Sequence, residues 1–280
     1  MSLEDIIEQA LIEDIGDGDH SSQACIDETA QGAMQLLVKE DGVIAGIEIA
    51  QEVINVFDPA IKMQNIAFRD GDHVQKGDIV FTLLGPARSM LTIERTLLNF
   101  MQRMSGIATT SNLYAKQVAG TNTKILDTRK TTPLMRLFEK YAVKTGGAEN
   151  HRFGLYDMIM LKDNHIDFAG GIEKAIDLTN KYLQDNNLQL KIEIEARNIE
   201  QVRQIMAHGG VQRIMFDNFT PEQIREALKI VNGQVETEAS GGITFDTLPD
   251  YAATGVDYIS VGALTHHIKS LDLSLKFKPM

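Results

Sequence analysis

Polar and glycine residues that close short apolar runs recur at a nearly constant interval in the second half of the chain: Glu195, Asp217, Glu238 with Ser240, and Gly262. The interval of about 22 residues is the length of one tight strand-loop-helix-loop unit in a β/α barrel. The runs are KILDTRK, YDMIMLKDNH, KIEIEARN, RIMFDNF, VETEASGG and YISVGAL. Amphipathic stretches lie between them. In TPEQIREALKIVNG, Thr220 can cap a helix, Pro221 occupies its first turn, Gln223 completes a capping box and Gly233 can end it. NIEQVRQIMAHGG repeats the design with Asn198 as cap and Gly209 as stop. Such alternation predicts a parallel α/β domain, and six to seven visible strands rather than eight predict an open or incomplete β/α barrel.

The first hundred or so residues read differently, as short strands and turns after an opening helix. VKEDGVIAG and DGDHVQKGD place Asp-Gly turn signals between apolar runs, as antiparallel strands joined by tight turns require. This half resembles part of the sandwich of lipoyl and biotinyl carriers, but Lys76 sits in a plain Gln-Lys-Gly turn without the flanking methionines of a biotinyl site. From Leu91 to Met104, Leu91, Leu97, Leu98, Met101 and Met104 fall at helical spacing, with Arg95 and Arg103 off the stripe. The expected division is therefore an N-terminal α/β sandwich over residues 1–105, a barrel over 106–267, and a C-terminal segment, about 268–280, able to pack back on the sandwich.

Composition narrows the function classes. Hydrophobic residues make up 43% and charged residues 24%, and no apolar run approaches a membrane span. MSLEDIIEQALIEDIG is acidic and helical in pattern rather than signal-like, so the reading is a cytoplasmic protein. The single cysteine, Cys25, excludes an intrachain disulfide and reads as a small buried or half-buried residue. A net charge of −12 argues against nucleic acid and anionic membranes as partners. A small anion remains compatible, provided that cations cluster locally.

The strand ends supply that cluster. Arg129 and Lys130 follow the first run, Lys162 ends the second, Glu195 and Asp217 end the next two, and ASGGIT and SVGALT close the last two. Ser240, Gly241 and Gly242, with Val261, Gly262 and Ala263, fit a phosphate cradle of backbone N–H groups. Glu195 and Asp217 close apolar strands, where an uncompensated carboxylate is costly; Mg²⁺, ribose hydroxyls, or ion pairs with Lys130 and Lys162 could each compensate them. His151 and Arg152 add donors in a glycine-flanked segment, and an Arg fork suits a carboxylate as a Lys point charge suits phosphate. His165, His208, His266 and His267 read as packing or surface residues, with no zinc spacing.

Taken in order, ERTLLNFMQRMSGIAT, DTRKTTPLMR, KTGGAENHRFGLYDMIMLKDNH, IEIEARN, FDNF, EASGGI and GVDYISVGALTH resemble the quinolinate phosphoribosyltransferase family over nearly the whole chain. The resemblance implies a type II phosphoribosyltransferase fold and a homodimer with shared sites, with a hexamer left open. It implies Mg²⁺-dependent transfer of phosphoribosyl from phosphoribosyl pyrophosphate to quinolinate, with loss of CO₂, in NAD biosynthesis, and no organic cofactor. By motif, Arg95 would reach a neighbouring subunit's site, while Thr128, Arg129, Lys130, His151 and Arg152 would surround quinolinate. Lys130, Lys162, Glu195 and Asp217 would carry the catalytic work, with Glu195 and Asp217 holding Mg²⁺ directly or through water or substrate, and the two glycine turns would take phosphate. A paralogue acting on another acceptor, such as nicotinate, is the nearest competing expectation. The cationic set of Arg95, Arg129, Lys130, His151 and Arg152 speaks for a dicarboxylate.

Overall fold

Six parallel strands organise one of the two compact units of the computed structural model, which describes residues 2–279. Met1 and Met280, the outermost residues of the expected sandwich and C-terminal segment, lie outside the described residues. This unit comprises Leu113–Lys130 and Ala148–Gly262. Its strands lie in the order Lys124–Leu126, Tyr258–Ser260, Glu236–Ser240, Arg213–Asp217, Ile192–Ala196 and Ile159–Leu161. A parallel bridge from Leu126 to Glu149 extends the first edge by one position. Among the described residues no ladder joins Ile159–Leu161 to that edge, so the sheet is open.

The expected helices form between these strands for the expected reasons. Thr220 caps Pro221–Val231 in a full capping box with Gln223, and Asn198 caps Ile199–His208 through the Gln201 N–H at 2.9 Å. The first of these ends one residue earlier than its glycine suggests, because Asn232 itself takes the left-handed conformation at φ 47°. Both helices bury one apolar stripe, Ile224, Ala227 and Val231 in one and Val202 and Ile205 in the other.

Strand alternation matters most for the site. A parallel sheet covered on both faces normally reads as a continuous apolar run. Here Ile192, Ile194 and Ala196 alternate with Glu193 and Glu195, and all five residues are buried. Side chains two apart share a face. Glu193, Arg213 and Glu238 therefore meet on one side of the sheet, while Ile194, Ile214 and Ala239 occupy the other.

The other unit comprises Met1–Asn112, Thr131–Gly147 and Ala263–Met280. Its antiparallel sheet runs in the order Leu273–Lys278, Gln31–Val38, Ile79–Pro86 and Lys62–Gln64, with Gly42–Val43 and His73–Val74 paired separately. Helix Ile47–Phe57, which the sequence reading took as strand and turn, buries Ile47, Ala50, Val53 and Ile54 on one face. Cys25 is exposed rather than buried, because its short helix turns the thiol outward to donate to Ser21 O at 3.1 Å. No described helix is long and apolar enough to cross a membrane.

The connecting helix extends well beyond the expected stripe, as Ala87–Gln117. Leu91, at its solvent side, is exposed. Ser105 to Ser111 lack helical propensity, but Thr109 and Thr110 return their hydroxyls to the carbonyls of Ser105 and Gly106 at 2.7 and 2.9 Å, and their small size admits close backbone approach. Arg103 forks onto the buried Glu139 of helix Arg136–Thr145 at 2.8 and 2.5 Å, and Glu139 also accepts the Thr132 N–H at 3.2 Å. At Gly146, which follows that helix, an added Cβ would overlap Ala108 O and lie 2.6 Å from Ser111 Cβ. Gly146→Ala is accordingly expected to lower unfolding stability by about 1–3 kcal/mol. A urea titration checks it, and an unchanged midpoint would show that the helices can separate freely.

Candidate active site

The carboxyl ends of the six parallel strands bring most of the expected residues into one unit. Thr128, Arg129 and Lys130 follow Lys124–Leu126, Lys162 follows Ile159–Leu161, Glu195 and Asp217 close the next two strands, and Ser240 to Gly242 follow Glu236–Ser240. Val261 and Gly262 belong to the same unit, and the Val261 N–H donates to Leu126 O at 2.9 Å. Arg95 and Ala263 lie in the other unit, where Arg95 is exposed on its helix. An open cavity of about 490 Å³ in that other unit, lined by Asp14, Thr96, Asn99, Arg103 and Thr132, contains none of the expected substrate residues.

At one side of the rim, Lys162 Nζ lies 2.7 Å from Glu195 Oε1. Glu195 Oε2 accepts the Asp163 N–H at 3.2 Å, so the chain itself occupies both oxygens. Asp217 differs. Its Oδ2 accepts from Asn218 Nδ2 at 2.8 Å, and no described residue places a hydrogen-bond donor on Oδ1. Burial first, and then the Glu195 charge, raise the Asp217 carboxyl above its usual range. A carboxylate raised by burial and by a neighbouring carboxylate suits a divalent cation, and Asp217 Oδ1 is the oxygen available to it.

The other side is cationic. Arg129 and Lys130 are exposed, and Thr128 Oγ1 accepts the Lys130 N–H at 3.0 Å. Arg152 Nη1 donates to Met158 O at 3.1 Å, and burial followed by repulsion from Arg129 pushes its guanidinium below the usual range. Two guanidinium groups near enough to repel one another favour an anion beside them. Gly241 and Gly242 adopt φ of 92° and 63°, so the turn after Glu236–Ser240 requires glycine on conformational grounds.

His151 is placed differently from an ordinary rim donor. Its backbone N–H donates to the buried Asp127 at 2.8 Å, and its Nδ1 accepts the Arg152 N–H at 2.6 Å. Its Nε2 points inward, 3.0 Å from Glu193 Oε2 and 3.3 Å from Glu238 Oε2, both side chains fully buried. Arg213 completes the group. Its Nη1 lies 3.0 Å from the same Glu238 oxygen, its Nη2 3.0 Å from Glu236, and its guanidinium carbon 4.1 Å from the Tyr258 ring centre. The ligand atoms of His151, Glu193 and Glu238 lie within 4.8 Å of one another, a spacing a metal ion could also use. Arg213 brings one positive charge to this group.

Burial pushes the imidazole toward neutrality, but Glu193 and Glu238 outweigh it and raise His151 to about 9. Burial and then Glu238 raise Glu193 to about 7. A doubly protonated ring would press Nδ1–H against the Arg152 N–H, so the geometry favours a neutral imidazole with the extra proton on Glu193, whereas the charges alone favour imidazolium. Both placements hold one proton that free side chains would release near neutrality.

Two family models cover this chain, the N-terminal domain of quinolinate phosphoribosyl transferase over residues 19–105 and its C-terminal domain over 107–276. The chain belongs to the quinolinate phosphoribosyltransferase family. Among curated relatives, quinolinate phosphoribosyltransferase [decarboxylating] 1b of Nicotiana tabacum is 44% identical across 98% of this chain and 82% of its own length. The probable nicotinate-nucleotide pyrophosphorylase [carboxylating] of Bacillus subtilis is 43% identical across 98% of this chain and 93% of its own. Among solved structures, NadC from Streptococcus pyogenes superposes with a TM-score of 0.93 at 40% identity, covering 99% of this chain and 97% of that one.

In this member of the quinolinate phosphoribosyltransferase family, the layer beneath the strand-end residues adds groups that the sequence expectations do not include. Glu193, Arg213 and Asn218 were not singled out. The available signal was the strict Ile-Glu alternation of IEIE, which a strand buried on both faces tolerates only if its carboxylates have partners. Arg213→Met leaves Glu238 without its guanidinium, and a loss of about 3 kcal/mol or more is expected in urea unfolding. A loss below about 1 kcal/mol would contradict the interior pairing. The retained proton also fixes the pH trend. Whichever of His151 and Glu193 holds it, the shared proton is kept above the 6.5 of an ordinary imidazole, so the stability that it lends is fully present below 6.5 and lost as pH rises through about 9. Unfolding free energy should fall between these pH values, and Glu193→Gln should reduce the fall; identical slopes would rule the cluster out as its source.

Proposed function

We propose that this chain joins quinolinate to the phosphoribosyl group of phosphoribosyl pyrophosphate and decarboxylates it. The products are nicotinate mononucleotide, CO₂ and pyrophosphate, a step of NAD formation. Family membership supports the reading, and the observation that carries it is the arrangement along one strand-end rim: paired guanidinium groups, then carboxylates with Lys162, then a glycine turn. One ligand set would need all three.

In this reading Arg129, Lys130 and Arg152 receive the two carboxylates of quinolinate, with Thr128 orienting the Lys130 backbone. His151 supports Arg152 from below through the 2.6 Å contact with its N–H. Ser240 to Gly242 and Val261 to Ala263 offer backbone N–H groups to the 5′-phosphate, while Glu195 and Asp217 flank the ribose. The pyridine nitrogen then attacks the anomeric carbon in line as pyrophosphate leaves, and holding that alignment is the protein's main contribution. Lys130 and Lys162 face the charge that develops on the leaving group. Once glycosylated, the ring nitrogen is cationic and accepts the electron pair released as CO₂ departs. The protein needs only to keep that carboxylate oriented.

Magnesium belongs to the proposal. Asp217 would hold it through Oδ1, and Glu195 through water or after yielding Lys162. Bound there, the ion would supply charge neutralisation on pyrophosphate oxygens. We also place Arg95 in the site of a second copy of the chain, giving a cytoplasmic homodimer with shared sites; its exposure on the helix supports this.

A paralogous activity on nicotinate is the competing reading, disfavoured because a monocarboxylate would leave part of the cationic set unpaired. With quinolinate labelled in the carboxyl beside the nitrogen, phosphoribosyl pyrophosphate and Mg²⁺, labelled CO₂ and nicotinate mononucleotide should appear in equal amounts by mass spectrometry. Turnover of nicotinate with none of quinolinate would overturn the proposal. For the shared site, inactive Arg95→Ala and Arg152→Ala proteins should regain about a quarter of wild-type activity after subunit exchange in equal mixture, because random pairing makes half the dimers mixed, each with one intact site. Complete exchange without recovery would refute it.

A further inference from the structure

Asn218 follows Asp217 directly, and it is one of the few non-glycine residues in the left-handed region, at φ 57°. Its backbone N–H donates to Ser240 O at 2.8 Å, carrying the parallel ladder one step past the Asp217 to Ser240 pair. Its side chain has two further contacts. Nδ2 donates to Asp217 Oδ2 at 2.8 Å, and the amide lies against Gly241, where an added Cβ would overlap Oδ1 and approach Cγ to 2.6 Å. A single exposed side chain thus touches both the carboxylate of one strand end and the glycine turn of the next.

We propose that Asn218 is a positioning residue for the phosphoribosyl co-substrate, holding the Asp217 carboxylate and the Ser240 to Gly242 turn in fixed register so that one ligand can meet both. The inference deepens the function proposed above and rests on its assignment of these strand ends to phosphoribosyl pyrophosphate. By occupying Oδ2, the amide leaves Oδ1 for the ligand and its cation and fixes the carboxylate's rotation. By filling the space above Gly241, it limits how far the turn can move.

A turn-forming role alone would be met equally well by other residues that accept positive φ. Glycine would keep the backbone and its bond to Ser240 O while removing the amide. Aspartate would keep the shape while losing the donor and adding a negative charge beside Asp217. Two substitutions therefore separate side chain from backbone.

The test compares wild type, Asn218→Gly and Asn218→Asp in steady-state kinetics with both substrates varied. It adds calorimetric binding of phosphoribosyl pyrophosphate with Mg²⁺ in the absence of quinolinate, and thermal unfolding. Loss of a hydrogen bond to a charged group corresponds to at least about a tenfold change. Both variants should raise KM for phosphoribosyl pyrophosphate and weaken its calorimetric binding by at least about tenfold, aspartate more than glycine, with KM for quinolinate changed less than about twofold. Unchanged phosphoribosyl pyrophosphate affinity in either variant would overturn the proposal, as would equal increases in both KM values or weakening that merely tracks a lowered melting temperature. The underlying assignment is read separately from wild type. If wild type turns over quinolinate but the variants do not discriminate, only the Asn218 role falls; if wild type fails to bind phosphoribosyl pyrophosphate, the functional reading falls with it.

Discussion

Two carboxylates, Glu193 and Glu238, are fully buried within the parallel sheet, and the organisation of the site depends on how they are compensated. Bare burial of two like charges would cost several kcal/mol per ion. Arg213 brings one cation from the strand between them, His151 brings a ring from beyond the sheet edge, and a retained proton completes the balance. An apolar interior could have stabilised the sheet at least as well. What the charged interior adds is direction. His151 ties the loop that carries Arg152 to the strands that carry Glu195 and Ser240, so the rim's cations are set relative to its carboxylates and glycines.

The rim extends the same pattern outward. Along Ile192–Ala196 the inward position below is Glu193, paired with the imidazole, and the next inward position is Glu195, paired with Lys162. One strand over, Arg213 is followed on the same face by Met215 and then Asp217. The lower layer is buried, and its charges meet in ion pairs within the chain, although both Glu193 oxygens and Glu238 Oε1 lack a hydrogen-bond donor. At the upper layer, the Asp217 carboxylate and the Arg129 and Arg152 guanidinium groups keep capacity for external partners. This difference separates a buried charge network from a more exposed rim made of the same residue types.

Much of this was legible in the sequence because each strand of the parallel unit is a short apolar run closed by a polar residue, and its helices carry complete caps at Thr220 and Asn198. Helix Ile47–Phe57 was not legible: its left-handed Gly46 cap provides no side-chain hydrogen bond, and IEIAQEVI alternates like a strand at its start. The end of the connecting helix was hidden because Ser105 to Ser111 favour helix only through tertiary packing. Interleaving of the two units, with Thr131–Gly147 and Ala263–Met280 returning to the first, leaves no local signature. The interior group escaped notice for a related reason. Glu193, Arg213 and Glu238 become partners only when three strands fall into register, which spacing along the chain does not specify.

In the proposed function the strand-end cations read a dicarboxylate, while the carboxylates and glycine turn read a phosphoribosyl pyrophosphate. The most direct measurement is the ratio of kcat/KM for quinolinate to that for nicotinate in the same protein at saturating phosphoribosyl pyrophosphate and Mg²⁺. A site built around two carboxylates predicts a preference for quinolinate of at least about a hundredfold, since the smaller acceptor leaves desolvated cations unpaired. Parity, or a preference for nicotinate, would contradict it.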